Sequence, residues 1–317
     1  MTRHAAPRRG FTLIELLVVI LIIAILVSLT VVVIGKVRVR AKVAATAADM
    51  AQIASAIGTY KSKMNVQYIP SCGGGTNGTF RLRRQYAGNE PEAVYLKSVW
   101  PQLPGCTGIA TEFTGITRDS DLDANQTLVF FLTGGDQTNF QGFSTNRTNP
   151  FTTPSAGSTE SRIGPFLTFP DNRYLPGSNV PGADKTRPAL LDLFGAPYAY
   201  FAFNPMVNTY KFPVHDTKSN TYSYTGDQGY VFNGTTVTPY IVNSKYLEPK
   251  GFQIISAGDN GKDETSGSHG FGAGGTLWLT SDQYDEGNFD QKAFPNRGNG
   301  WDDLANFNGG SVLASKN

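Results

Sequence analysis

The chain of 317 residues holds two cysteines and three histidines, and only 16% of its residues are charged. Each scarcity excludes something. Two cysteines cannot build the dense disulfide framework of a small secreted domain. Cys72 and Cys106 have no Cys-x-x-Cys spacing and no nearby histidine, so a zinc site is not expected either. His4, His215 and His269 are too few and too scattered for a His-dependent triad, and no Gly-x-Ser-x-Gly, Walker A or His-Glu-x-x-His pattern occurs. Catalysis is therefore not expected. The formal charge of +2 conceals a split, because seven of the 27 Lys and Arg fall in residues 1–42, leaving 20 against 24 Asp and Glu from residue 43 onward. That balance offers no broad basic surface, and a nucleic-acid partner is not expected. The 35 Gly and 18 Pro make about 17% of the chain, short of the ~25% that marks low complexity, so they read as turns.

What the sequence has in plenty is one long apolar run. Phe11 to Ile34 is apolar except for Thr12, Glu15, Ser28 and Thr30. As a helix these residues would extend roughly 36 Å, enough to cross a hydrocarbon core of about 30 Å. A secretory signal peptide begins similarly, but its apolar region runs to about 15 residues and ends at a small-residue cleavage site, whereas this run is longer and has no Ala-x-Ala after it. Glu15 discriminates among the readings. A carboxylate in a membrane segment costs about 2.5–3.5 kcal/mol, so it marks a function and calls for a partner.

The string RRGFTLIELLVVILIIAIL resembles the N-terminus of the type IV pilin and type II secretion pseudopilin family. The resemblance implies cleavage after Gly10 by a membrane prepilin peptidase, methylation of the new amino terminus at Phe11, and pairing of Glu15 with that amine in a neighbouring subunit of a filament. A buried carboxylate gains from a cation when both are desolvated together, which suits that role. A plain single-pass anchor with a chance acid and a twin-arginine export signal are the alternatives; neither requires Glu15.

Val43, Thr46, Met50, Ile53, Ile57, Tyr60 and Met64 recur at steps of three and four, one face of a helix. Lys42, Ala45, Asp49, Gln52 and Lys63 form the other face, so one helix from about 12 to 64 is expected to begin in a membrane and end on a folded domain. The stretch through Tyr60, Lys61, Tyr68 and Pro70 resembles the second half of the pilin helix and its closing turn. Lys36, Arg38, Arg40 and Lys42 oppose the positive-inside rule if the N-terminus is cytoplasmic. Outside the membrane they would meet anionic lipid headgroups or a neighbour's acids, and they also support the opposite topology.

From residue 70 onward short β-prone runs are separated by Gly, Pro, Asn and Thr: 127–133, 197–204, 221–225, 229–232, 252–256 and 276–280. Residues 73–79 and 134–188 read as long loops. The fold class expected is α+β, a long N-terminal α-helical stem, half membrane and half amphipathic, packed on a mainly antiparallel β-sheet head with long loops, the pilin fold that the resemblance implies. The expected divisions are a leader at 1–10, a transmembrane and assembly helix at 11–35, the amphipathic half at 36–65, and a head at 66–317 with an inserted region at 71–189.

In an exported head Cys72 and Cys106 read either as one disulfide or as two unpaired buried thiols. Asp119, Asp121 and Asp123 have the alternation of a calcium loop, but Ala124 and Phe130 stand where an EF-hand needs Gly and Glu, so a solvated acidic turn capping the following strand is expected. The segments 251–263 and 298–307 resemble the calcium-holding C-terminal loops of the major pseudopilin, which implies calcium at the Ala257 carbonyl, Asp259 or Asn260, Asp302 and Asp303. LLDLFGAPYAYF, with Asp192, Gly195, Pro197, Tyr198 and Tyr200, resembles that family's turn into a strand. The function the resemblance implies is structural: a subunit of a type II secretion pseudopilus or type IV pilus-like filament, polymerising with itself and with other pilins. Its other partners would be the prepilin peptidase, an assembly platform in the bacterial inner membrane, and membrane lipid before assembly, with the head in the periplasm. A type IV pilus subunit for adhesion or DNA uptake, or a surface domain using 11–34 only as an anchor, are the rival readings.

Overall fold

The computed structural model describes residues 12–86, 89–104, 116, 118–134, 140–154, 159–178, 180, 182–232, 235–242, 245–258 and 304–306, for backbone alone at 29–36, 227, 232, 235, 236, 241, 242 and 245. Helix α1 spans Leu13–Met64, within one residue of the expected start. Glu15 in its first turn and Lys61 and Lys63 in its last complement the helix dipole. It stops where Asn65 turns left-handed at φ 54° and Val66 N–H donates to the Lys61 carbonyl at 3.0 Å, a Schellman closure.

The chain forms two units, residues 1–42 and 43–317. In the first, every large aliphatic side chain from Leu13 to Val27 is 46–82% exposed. In the second, the face expected from the three-four spacing is buried: Thr46, Met50, Ile53, Ile57, Tyr60 and Met64, with Val43 packed beside them. On the other face Ala45, Gln52 and Lys63 are exposed, while half-buried Asp49 accepts from Arg173 at 2.7 Å.

The rest of the second unit is built from α2 (Pro91–Val99), α3 (Ala124–Thr133) and short strands. The strands are β1 (Phe80–Leu82), β2 (Ser120–Leu122), β3 (Phe143–Ser144), β4 (Arg162–Ile163), β5 (Tyr174–Pro176), β6 (Pro188–Leu190), β7 (Ala199–Ala202) and β8 (Lys211–Asp216). They continue as β9 (Thr221–Asp227), β10 (Tyr230–Phe232), β11 (Thr235–Val237), β12 (Ile241–Val242), β13 (Lys245–Tyr246), β14 (Phe252–Ser256) and β15 (Leu304–Ala305). Every described pairing is antiparallel. The strands do not form one broad sheet, however. Among the described residues the largest sheet has three strands in the order β15, β14, β7, and the others are two-stranded. The strands are too short to extend further, interrupted by left-handed Gly and Asn positions such as Gly142, Gly164, Gly195 and Asn208.

Two expectations are overturned. Residues 127–133 are not a strand but most of helix α3, and the acidic segment before them caps that helix. Asp123 Oδ1 accepts from Gln126 N–H at 2.8 Å while Gln126 Oε1 accepts from Asp123 N–H at 3.1 Å, a reciprocal capping box, and Gly134 at φ 64° ends the helix. Asp119 and Asp121 are not a free acidic turn either; they pair with Arg84 at 3.5 Å and Arg83 at 2.6 Å. All ten residues of α3 are buried. Its Phe131 ring lies 5.3–6.0 Å from Tyr60, Phe80 and Tyr95, each edge to face, so α3 is the centre of the core. The expected loop at 134–188 contains β3, β4 and β5.

Candidate functional site

At the start of α1, Glu15 Oε2 accepts hydrogen bonds at 2.8 Å from both the N–H and the hydroxyl of Thr12, and Glu15 N–H donates to Thr12 Oγ1 at 3.3 Å. This is a Thr-x-x-Glu capping box, satisfying N–H groups that a helix terminus otherwise leaves unpaired. Glu15 is exposed and, among the described residues, its Oε1 has no partner. The carboxylate thus holds the helix start in shape with one oxygen and presents the other. Gly10 and Phe11, the expected processing residues, lie outside the described residues. Along the run that follows, the one described hydroxyl, Ser28, donates to the Ile25 carbonyl at 2.8 Å, so it adds no unsatisfied polar group to an apolar surface. Among the described residues no helix is long and apolar enough to cross a membrane. The span expected to do so includes Phe11 and the side chains of 29–34, which lie outside them.

The family described as the prokaryotic N-terminal methylation motif matches residues 6–31. This chain carries that motif. It is characteristic of type IV pilins and pseudopilins, and marks a pilin-like precursor of the kind that a prepilin peptidase processes. No curated protein and no solved structure matches the chain.

The second candidate site lies in the head. Asp192 is 2% exposed, and its Oδ1 accepts from the N–H groups of Phe194 and Ala196, both at 2.8 Å. Its Oδ2 accepts from the Ser256 hydroxyl at 2.5 Å. The carboxylate therefore closes the 192–196 turn and ties it to the end of β14, as the turn expected at 190–201 requires. Burial pushes its pKa up from 3.8 to about 6, against the lowering effect of Ser256 and the backbone donors. Beyond Ser256, Ala257 is fully buried and Gly258 is left-handed at φ 66°. The β14–β15 register places Ser256 opposite Leu304, so the two segments expected to hold calcium are joined side by side. Asp259, Asn260, Asp302 and Asp303 lie outside the described residues, and among the described residues no group of three or more acids, His or Cys is gathered as a metal site.

Cys72 is half-buried, and its thiol is pushed up to about 12 by burial, opposed by a hydrogen bond with Ser71 and reinforced by the Glu92 carboxylate. Cys106, its expected partner, lies outside the described residues. Glu92 itself is a structural centre that the sequence did not reveal. Fully buried, its Oε1 accepts from Gly74 N–H at 2.8 Å and from the Arg81 backbone N–H and Nε, both at 3.1 Å. The available signal was the run Gly73, Gly74, Gly75: a Cβ on Gly73 would stand 2.5 Å from Glu92 Oε1.

Proposed function

We propose that the protein is a structural subunit of a type II secretion pseudopilus or type IV pilus-like filament, cleaved after Gly10, methylated at Phe11 and polymerised through its N-terminal helix. The observation that carries this reading is the methylation motif at 6–31, set at the head of a helix whose large aliphatic side chains from Leu13 to Val27 are all exposed. Such a surface is not stable in water and calls for lipid or for copies of itself. Between lipid and a bundle of like helices the hydrophobic effect is nearly indifferent, so a polar contact decides the balance. Glu15 supplies it: the oxygen not used by Thr12 pairs with the amine of Phe11 in a neighbour, relieving an acid that lipid disfavours by about 2.5–3.5 kcal/mol.

In this reading residues 11–34 cross the bacterial inner membrane with the N-terminus cytoplasmic and the head in the periplasm, and the head has no catalytic role. Calcium, held by the Ala257 carbonyl with Asp259 or Asn260, Asp302 and Asp303, would supply the charge that links the ends of β14 and β15. Intact-mass analysis of the protein extracted from membranes of peptidase-bearing cells tests the assignment. A chain beginning at methylated Phe11 is expected; one retaining Met1 overturns it and leaves a plain membrane anchor.

A further inference from the structure

The head contains an open cavity of about 300 Å³ between the turn after α1, the start of α2 and the β8–β9 hairpin. Among the described residues no Asp, Glu, Lys, Arg or His lines it. Its walls are chiefly rings and amides, with the Cys72 thiol and the Ser71 and Thr221 hydroxyls among them. Among the described residues the hydroxyls of Tyr68 and Tyr224, both on the wall, make no hydrogen bond within the protein. Asn89, Asn204 and Asn220 each use only one end of the side-chain amide: Asn89 donates to the Asn220 carbonyl at 2.7 Å, Asn204 accepts from Met206 N–H at 3.0 Å, and Asn220 Oδ1 meets His215 Nε2 at 3.1 Å. At the rim Val94 and Met206 are 43% and 58% exposed.

These features select a ligand by chemistry. An ion would give up its hydration with no counter-charge on the described wall, which disfavours it. A wholly apolar molecule would strand the phenol and amide groups without partners. A molecule with a flat apolar face and a ring of hydroxyls meets both requirements, its face against tyrosine rings and its edge on amides and phenols. The volume lies at the lower end of the ~300–1,000 Å³ of small-molecule sites, which limits the ligand to one or two rings. We propose that this cavity is a binding site for a neutral saccharide of one or two pyranose rings, recognised by stacking on tyrosine and by hydrogen bonds to Tyr68, Tyr224 and the three asparagines. Burial raises the pKa of Tyr68 and Tyr224 and keeps both as hydroxyl donors throughout the neutral range. Filament assembly places no demand on this cavity, so the site stands apart from the assembly reading.

The test uses the full chain in a polyoxyethylene detergent, which has no sugar headgroup. Saturation-transfer NMR is recorded with methyl glucoside, methyl galactoside, N-acetylglucosamine and maltose, and with glucuronate and glucosamine as charged counterparts. At least one neutral sugar should show saturable transfer with a Kd in the range of about 0.1–10 mM. Tyr68→Phe and Tyr224→Phe each delete a hydroxyl that has no partner in the fold, so each should weaken binding about tenfold while leaving the thermal midpoint unchanged. Val94→Trp, an exposed position at the mouth, should abolish the signal. No transfer to any neutral sugar at about 50 mM, binding unaffected by all three substitutions, or tighter binding of a charged sugar would each overturn the proposal.

Discussion

Asp192 should make the head less stable as the pH rises from 4 to 7, and Asp192→Asn should remove that dependence. The carboxyl is buried and its pKa rises from 3.8 to about 6, burial outweighing three hydrogen-bond donors. A group whose pKa is raised by folding binds its proton more tightly in the folded chain. Its stabilising contribution is full below 3.8 and is lost as the pH climbs through about 6. A rise of about two on the pH scale, at about 1.4 kcal/mol for each, makes the loss about 3 kcal/mol by pH 7. Asn keeps the oxygen that accepts from Phe194 and Ala196, and its amide can donate to Ser256, whose hydroxyl turns to accept. The substitution thus removes the charge and retains the turn. Asp192→Ala, in contrast, leaves two buried N–H groups and a hydroxyl without an acceptor, at about 3 kcal/mol or more at every pH. The assay is denaturant unfolding at pH 4, 5, 6 and 7, followed by tryptophan fluorescence, with stability taken as the difference between variant and parent so that other titrating groups cancel. The difference for Asp192→Asn should move by about 2.4 kcal/mol in favour of the variant across that range, the first ~0.6 kcal/mol of the loss having already occurred at pH 4. Parallel curves for parent and variant would refute the argument, because they would mean that the carboxyl carries the same proton affinity folded and unfolded.

Three further outcomes follow from the same reasoning. Glu15→Ala should insert into membranes normally yet yield almost no sheared filaments, since removing the acid favours the lipid state by about 2.5–3.5 kcal/mol, on the order of a hundredfold in the equilibrium; normal filament yield would remove the assembly role. Ile53→Ala, at a fully buried position, should lower the unfolding free energy of the head by about 2–5 kcal/mol, whereas Val19→Ala, 46% exposed on the same helix, should leave it unchanged. Calcium at about a hundred times its dissociation constant should raise stability by about 2.7 kcal/mol, reversibly with a chelator and not in Asp303→Ala; an unmoved midpoint would discard the calcium site.

Helix α1 was legible because one face is wet and the other dry over residues 43–64, so its period is written in the sequence. β14 was legible as FQIIS, a short apolar run between a glycine and a left-handed turn. Helix α3 was misread for the opposite reason. With no exposed face, TLVFFLT has no period to show, and its Phe, Val and Thr lean toward strand. Its ends were legible all the same: Asp123 with Gln126 three residues on, and Gly134 after the last turn. The glutamate of the Thr-x-x-Glu box at Thr12 is likewise local, and visible in sequence. Glu92 and Arg81, eleven residues apart, and Asn125, which bonds the Leu190 and Tyr198 backbones at 2.7–3.0 Å, act across the fold, and no local spacing announces them.

The position of α3 restricts how this head can be shortened. The helix lies inside residues 71–189, the stretch expected to be an insertion, yet it supplies Phe131 to the ring cluster and, through Asn125 and Gln126, amides that bond backbone carbonyls at Leu190, Tyr198, Asp184 and Arg187. Excising that stretch would not produce a smaller edition of the same head; it would strip Phe131 and Phe166 from Tyr60 and take the Asn125 amide from the Leu190 and Tyr198 carbonyls. A shortened head has to vary the turns around residues 124–133 and keep the helix itself, or put some other side chain in the place of Phe131. The part of the chain that looks added is the part the head cannot do without.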